Sequence, residues 1–267
     1  GRRPGTHHMT TPPPYPVARN LLQGKTAVIT AAAGTGIGFS VAKRFAEEGA
    51  TLLISDLHER RLNEAADAIA AAVGQRPATQ LCNVTVETEV QALAARAVEV
   101  LGRVDILVNN AGLGGSTAVV DMADDEWARV IDVTLTSVFR MSRAFLPIMY
   151  AQGAGAVVNN ASVLGWRAQK LQAHYAAAKA GVMAFTRCSA LEAAEHGVRI
   201  NAVAPSIAMH AFLAKVTTPE LLQSLAAQEA FGRPAEVWEV ANAMLFLASD
   251  LSSYMTGEVL SVSSQRA

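Results

Sequence analysis

Thr26-Ala27-Val28-Ile29-Thr30-Ala31 leads directly into Ala32-Ala33-Gly34-Thr35-Gly36-Ile37-Gly38. The first six residues are short, apolar and β-branched, the composition of a buried strand. The glycines then open a helical pattern that runs through Glu48. A strand, a glycine-rich turn and a helix in this order form the entrance to a doubly wound α/β fold. Glycines at such a turn let the backbone approach a pyrophosphate closely. The helix N-terminus behind them offers free N–H groups and the positive end of a dipole. An ordinary turn is the plain alternative, but the position after the first strand favours a dinucleotide.

The same alternation continues along the chain. Thr51 to Ser55 is strand-like, and His58 to Val73 reads as a helix with Leu62, Ala65, Ala66 and Ile69 on one stripe. A weaker strand spans Pro77 to Cys82, and Glu87 to Leu101 has helical spacing stopped by Gly102. Asp105 to Asn109 is a strand that ends in Asn110-Ala111-Gly112. A long helix is expected from about Asp125 to Ala151, a strand over Ala156 to Asn160, and a helix from about Gln172 to His196. Strands at Val198 to Val203 and near Val259 to Val262 bracket one or two further helices. Continuous apolar strands, rather than alternating ones, fit a parallel sheet covered on both faces. With no internal repeat or linker, residues 23–267 read as a single domain. Gly1 to His8 read as a vector-derived remnant before a start at Met9, and the rest of residues 1–22 as a flexible, extended lead-in.

Composition narrows the function classes. The 267 residues are 51% hydrophobic, and 22 Lys and Arg stand against 23 Asp and Glu. That balance leaves no electrostatic footprint for nucleic acid or an anionic membrane. No apolar run approaches the roughly 18 residues that span a bilayer. Cys82 and Cys188 lie far apart and form no metal-ligand spacing, so neither a disulfide framework nor a metal site is expected. Two reduced thiols fit a cytoplasmic protein.

Two sites carry chemistry, Asp56 and the pair Tyr175 and Lys179. Asp56 follows Gly38 by 18 positions and closes the second strand. A carboxylate there accepts bonds from both hydroxyls of an adenosine ribose and repels a 2′-phosphate, so NAD(H) is preferred over NADP(H). Its alternative role is to cap the helix beginning near His58. Arg60 and Arg61 belong to a solvated face. Tyr175 and Lys179 stand at i and i+4 and project from one helix face. A phenol with an ordinary pKa of about 10 is a poor base near neutral pH, and a neighbouring ammonium lowers that pKa. The pair can then exchange a proton with a substrate oxygen.

Joined to Asn109-Asn110-Ala111-Gly112, Ser162 and Asn201-Ala202-Val203-Ala204-Pro205, these motifs resemble the short-chain dehydrogenase/reductase family from about Gln23 to the C-terminus. Ser162 precedes Tyr175 by 13 positions, the family's interval. The resemblance implies a Rossmann fold with a seven-stranded parallel sheet, assembled as a homotetramer or dimer. It implies hydride transfer between NAD(H) and a secondary alcohol or ketone. Ser162 orients the substrate oxygen, Tyr175 transfers the proton, and Lys179 lowers the Tyr175 pKa and holds the nicotinamide ribose. Gly34, Thr35, Gly36, Ile37 and Gly38 hold the phosphates. Asn83 and Val84 flank the adenine, and Asn110, Ala111 and Gly112 contact the cofactor. Pro205, Ser206, Ile207 and Ala208 flank the nicotinamide.

Three features depart from the family pattern: the first glycine, the catalytic Asn and the loop after Pro205. Ala31 or Ala32 replaces its first glycine. Thr134, in Ile131-Asp132-Val133-Thr134-Leu135, replaces the catalytic Asn that anchors a relay water. Ser206 follows Pro205 where Gly is usual, and His210 stands where Thr often contacts the carboxamide. The chain looks most like reductases of 3-oxoacyl thioesters and actinobacterial dehydrogenases of steroid or acyl-CoA breakdown. Met209, Phe212, Leu213, Leu221, Leu222, Leu225 and Phe231 read either as an apolar lid over a hydrophobic substrate or as part of the core. Trp166 and Arg167 are expected near the substrate entrance, with Arg167 available to a phosphate or carboxylate or else in solvent. A non-catalytic dinucleotide sensor or scaffold of the same fold is the competing reading.

Overall fold

The computed structural model describes residues 10–209 and 218–264. Seven strands form one parallel sheet: β1 (Thr26–Ile29), β2 (Thr51–Asp56), β3 (Ala78–Leu81), β4 (Ile106–Asn109), β5 (Gly155–Asn160), β6 (Val198–Pro205) and β9 (Val259–Val262). Their order across the sheet is β3-β2-β1-β4-β5-β6-β9. β7 (Ala208–Met209) and β8 (Ala235–Glu236) pair separately, beside the last strands. The order reverses between β1 and β4, which opens a crevice at their C-terminal ends where ligands of such sheets bind.

Eight helices surround the sheet among the described residues: α1 (Ile37–Glu47), α2 (Glu59–Val73), α3 (Glu87–Leu101), α4 (Asp124–Ile131), α5 (Ser137–Gln152), α6 (Ala173–Ala194), α7 (Pro219–Ala227) and α8 (Val237–Ala248). Strand side chains alternate between the two faces. Ile29, Ile54 and Val108 point into a core with Phe45 of α1, Ile69 of α2 and Met244 of α8. Their neighbours Val28, Leu53 and Leu107 point the other way, onto Leu93 of α3, Phe145 of α5 and Ala193 of α6. β1 and β4 are buried at every position, which explains the apolar runs Ala27–Ile29 and Ile106–Val108 within them.

Two expectations are corrected. The lead-in is not free where it is described. Leu22 is fully buried in the first core, and the backbone N–H groups of Arg19 and Leu21 donate to Glu48. The Tyr15 hydroxyl donates to Glu47, and its ring meets Trp238 edge to face. The long helix from 125 to 151 is also not uniform. A π turn over Asp132–Thr136 separates α4 from α5. At this turn the Ser137 hydroxyl donates to the Val133 carbonyl at 2.6 Å, and Thr134 reaches out to another loop. Side-chain bonds of this kind compete with the regular helical ladder.

Candidate active site

The β1–α1 turn is shaped by backbone constraints. Ala31 adopts φ +50°, so it takes the left-handed conformation that the missing glycine would otherwise supply. Gly34 follows at φ +80°. Gly38 is required for a different reason: a Cβ there would lie 2.1 Å from the Ala31 carbonyl and 2.5 Å from Asn110 Nδ2. Gly36 has nothing within 4 Å of an added Cβ, and as N-cap of α1 it offers no capping side chain. Thr35 and Ile37 complete the turn, and the first N–H groups of α1 are free for an anion.

Asp56 stands at the end of β2, beside this turn. Its Oδ2 accepts from Ala33 N at 3.1 Å, and its Oδ1 accepts from Leu57 N at 2.7 Å and His58 N at 3.3 Å. Asp56 is therefore not the N-cap of α2, a position held by His58. It ties the glycine-rich turn to β2, and while Oδ1 is taken up by two N–H donors, Oδ2 keeps a further lone pair for a donor. Arg60 pairs with Glu64 on an exposed face, as expected. Asn83 folds back on itself: its Oδ1 accepts from the Thr85 N–H and hydroxyl, which leaves only its amide N–H groups for an adenine. Val84 beside it is buried.

The turn after β4 is fastened to the first. Thr30, absent from the sequence-based set of site residues, accepts at its hydroxyl from Asn110 N at 3.0 Å and Ala111 N at 3.3 Å. The Asn110 amide donates to the Ala31 carbonyl and accepts from Asn160 Nδ2 at 2.9 Å. Gly112 lies against Lys179, whose Nζ would be 3.5 Å from an added Cβ. Beyond β6, Ser206 N donates to the Val262 carbonyl and Ile207 O accepts from Ala235 N, so Pro205 to Ala208 are pinned to β9 and β8. His210, Phe212 and Leu213 lie outside the described residues.

Ser162, Tyr175 and Lys179 converge where β5 meets α6. Ser162 N-caps the short turn that follows it by accepting from Leu164 N at 3.1 Å, and its side chain lies close enough to Tyr175 to favour the ionised phenol. Lys179 is buried, donates to the Asn160 carbonyl at 2.6 Å and lies 5.6 Å from the centre of the Tyr175 ring. Burial pushes the ammonium down to about 8. Burial also raises the Tyr175 phenol above its ordinary value, and Ser162 only pulls it back in part. Desolvation dominates at Tyr175, and the lowering by Lys179 expected from sequence does not appear.

Thr134 differs from its expected role. Its hydroxyl accepts from Leu113 N and donates to Leu113 O, both at 3.0 Å, and the residue is 1% exposed. With its only proton taken up, it positions the loop after β4 and has no proton left to offer a relay water. Trp166 is exposed, whereas Arg167 is half-buried beside Glu229, with Nη1 3.9 Å from Oε1 and Nη2 donating to Ser263.

This arrangement is matched by known proteins. A family model described as enoyl-(acyl carrier protein) reductase matches residues 31–264.

The chain belongs to the short-chain dehydrogenase/reductase family.

It is 60% identical over 259 residues to the (5R,7aS)-5-hydroxy-7a-methyl-1-oxo-2,3,5,6,7,7a-hexahydro-1H-indene-carboxyl-CoA reductase of Mycobacterium tuberculosis, covering 97% of this chain and 99% of that protein. It is 37% identical to the 3-oxoacyl-(acyl-carrier-protein) reductase FabG of Thermotoga maritima, over 90% of this chain and 97% of the relative. A short-chain dehydrogenase from Mycobacterium smegmatis, of known structure, superposes with a TM-score of 0.85 at 57% identity, covering 96% of this chain and 98% of that one. Like other members of this family, the chain is an oxidoreductase that interconverts CH–OH and keto groups with a nicotinamide dinucleotide. Nothing in these comparisons supports the sensor or scaffold reading.

Proposed function

We propose that this short-chain dehydrogenase/reductase exchanges a hydride between NAD(H) and a secondary alcohol or ketone at the carbon β to the thioester of a hydrophobic acyl-CoA. The observation that carries the reading is the grouping of Ser162, Tyr175 and Lys179 at the mouth of the crevice. The thioester follows from the likeness to the mycobacterial CoA-ester reductase and to FabG. The residues present fit a dinucleotide: Gly36 leaves space at the open N-terminus of α1, and Asp56 stands beside it with accepting oxygens. Gly34 to Gly38 would hold the pyrophosphate and Asp56 the adenosine ribose. Asn83 and Val84 would flank the adenine, Asn110 to Gly112 and Lys179 would face the nicotinamide ribose, and Pro205 to Ala208 would line the nicotinamide.

When bound, the dinucleotide gives or takes a hydride at the substrate carbon. The chain's residues manage the proton. Ser162 donates a hydrogen bond to the substrate oxygen and fixes its place. The Tyr175 hydroxyl releases its proton to that oxygen in reduction and takes it back in oxidation. Lys179, 5.6 Å from the ring, offsets the charge that develops on the phenol.

Asp56 supports a preference for NAD(H), and a xylitol dehydrogenase of similar fold, 29% identical with a TM-score of 0.86, was solved with NAD+ bound. The test is calorimetric titration with NADH and NADPH, then with Asp56→Ala. Removing a hydrogen-bonded charged group worth about 1.5–3 kcal/mol should narrow the preference by about ten- to a hundred-fold. Equal or tighter NADPH binding by the unaltered protein would overturn it. A screen of 3-oxoacyl-CoA thioesters against steroid ketones, followed by NADH absorbance, tests the substrate class.

We also propose a homotetramer or dimer in the cytoplasm. Phe139 of α5 and Leu191 of α6 are exposed apolar residues available to a second copy. Cys188 is exposed and free, which suits a reducing compartment. Among the described residues, no helix is long and apolar enough to cross a membrane. Light scattering at micromolar concentration tests the assembly, and a monomer would contradict it.

A further inference from the structure

His174 immediately precedes Tyr175 on α6 and is completely buried. Its Nε2 lies 3.3 Å from Glu126 Oε1 on α4. A carboxylate only accepts, so Nε2 carries the proton and the ring donates. The same Glu126 oxygen accepts from the Thr117 hydroxyl at 2.6 Å. The loop after β4 thus reaches α4 and α6 through a single carboxylate. The loop passes so close that a Cβ on Gly115 would lie 2.8 Å from His174 Nε2 and 3.1 Å from Glu126 Oε1. Two further bonds close the seam: Gln172 Nε2 donates to Gly115 O at 2.6 Å, and Thr117 N donates to Leu171 O at 3.1 Å.

The residue between these anchors and the Thr134 anchor at Leu113 is Gly114. It packs on the reacting side chain, because a Cβ there would sit 3.6 Å from Tyr175 Cδ2. The loop is therefore one wall against the Tyr175 ring, and the His174–Glu126–Thr117 cluster holds that wall at its far end. His174 does this from the residue next to Tyr175, so a movement of the cluster shifts the ring and its wall together.

We propose that His174 is a positioning residue for catalysis, which through Glu126 and Thr117 fixes the loop of residues 113–117 against the ring of Tyr175. This rests on the reading of Tyr175 as the proton donor. It adds a side chain that touches neither substrate nor cofactor and that the Ser162–Tyr175–Lys179 grouping does not include. A buried histidine placed only for packing would tolerate an apolar replacement of similar size. A positioning histidine would not, because Glu126 would lose a donor and the loop an anchor.

The experiment compares His174→Leu, His174→Gln and Thr117→Val, each checked for unchanged melting behaviour, with acetoacetyl-CoA and NADH as substrates. His174→Leu should lower kcat by about ten- to a hundred-fold, the scale set by small misplacements of reacting groups. NADH affinity, read by fluorescence, should stay unchanged. His174→Gln places an amide N–H near the position of Nε2 and should recover most of the loss. Thr117→Val leaves α6 intact and should produce a smaller fall of the same kind. Independently of turnover, hydrogen exchange at the amide of Thr117 should accelerate in His174→Leu and return toward the original rate in His174→Gln.

Unchanged kcat and exchange in His174→Leu would overturn the proposal, as would a loss that tracks NADH affinity. If His174→Leu unfolds, Thr117→Val decides by the same two readouts. Absence of turnover by the unaltered enzyme would count against the thioester substrate alone, and the exchange measurement would then decide whether the cluster holds the loop.

Discussion

At the cofactor end of the crevice, between β1 and α1, the shape is held by backbone groups. At the chemical end, between β5 and α6, it is held by buried side chains. Ala31, Gly34 and Gly38 set the first turn through dihedral angles and close approach. Asp56 joins it through a backbone N–H and keeps part of its carboxylate free. Ser162, Tyr175 and Lys179 instead form a cluster in which burial pushes a phenol up and an ammonium down. The first end can tolerate an alanine in place of the family's glycine, because what it needs is a conformation. The second end needs particular functional groups, and a change there removes chemistry and not just fit.

The sharpest way to break this contrast is Tyr175→Phe. The ring and its packing on Gly114 remain, and only the transferable proton is lost. General acid–base catalysis contributes about 10²–10⁴-fold, so kcat should fall by that order with NADH affinity preserved. A variant that kept the original rate would remove the mechanism at its centre.

The cofactor end makes the opposite demand. Gly38→Ala would drive a methyl group into the Ala31 carbonyl, and overpacking of this sort costs about 1–3 kcal/mol. NADH affinity and melting temperature should both fall. Gly36→Ala meets no atom of the protein. It should leave stability nearly unchanged and weaken NADH binding only, because the added methyl faces the space assigned to the pyrophosphate. Equal effects of the two substitutions on stability would show that the turn is not shaped by the close approach at Gly38.

Lys179 sharpens the comparison through pH. Its pKa falls from an ordinary value of 10.5 to about 8 because the charged form is buried. Below about 8 the lysine is protonated in both folded and unfolded chains, and the full cost of burying the charge opposes folding. Between about 8 and 10.5 the unfolded chain binds more protons than the folded one, so this group makes stability rise with pH. Lys179→Met should abolish that rise while also lowering kcat. Denaturant unfolding of both proteins from neutral to alkaline pH reads the difference, at about 1.4 kcal/mol per pKa unit as an upper scale. Parallel pH profiles would mean that the ammonium is better solvated than its surroundings imply.

The two ends also differ in how far the sequence discloses them. The strand order, the glycine-rich turn and the spacing of Ser162, Tyr175 and Lys179 are local patterns, and local patterns survive in a single sequence. Thr30 is within the decisive stretch, yet its partners Asn110 and Ala111 lie 80 and 81 positions away, so nothing nearby marks it as the clasp between two loops. His174 sits beside Tyr175, but its role depends on Glu126 and Gly115 from other elements. The π turn is accompanied by one local bond, Ser137 to Val133, and one from another element, Thr134 to Leu113, and the second has no signal within the helical stretch itself. The lead-in reads as flexible and extended, and its docking on α1 and α8 depends on Tyr15 meeting Glu47 and Trp238.

Thr134 lies where the contrast between the ends is weakest, since it is a side chain acting on backbone. The family's Asn is replaced by a shorter group, and the structure shows what the shorter group can still do. One hydroxyl satisfies both the N–H and the carbonyl of Leu113, one residue before the glycine under Tyr175. Thr134→Val keeps the shape and removes both bonds. A hydrogen bond worth about 0.5–1.5 kcal/mol corresponds to roughly three- to twelve-fold in rate if it is felt only in the transition state. Here the bonds exist before substrate arrives, so most of the loss should appear as stability, and kcat should fall toward the lower end of that range. Thr134→Ser retains the hydroxyl and should recover the stability, whereas Thr134→Val should show faster hydrogen exchange at the Leu113 amide. If instead kcat fell strongly while stability and exchange stayed unchanged, Thr134 would serve the proton relay directly. The hydroxyl would then have to leave Leu113 during turnover, and the chemical end would extend one element further than its buried side chains indicate.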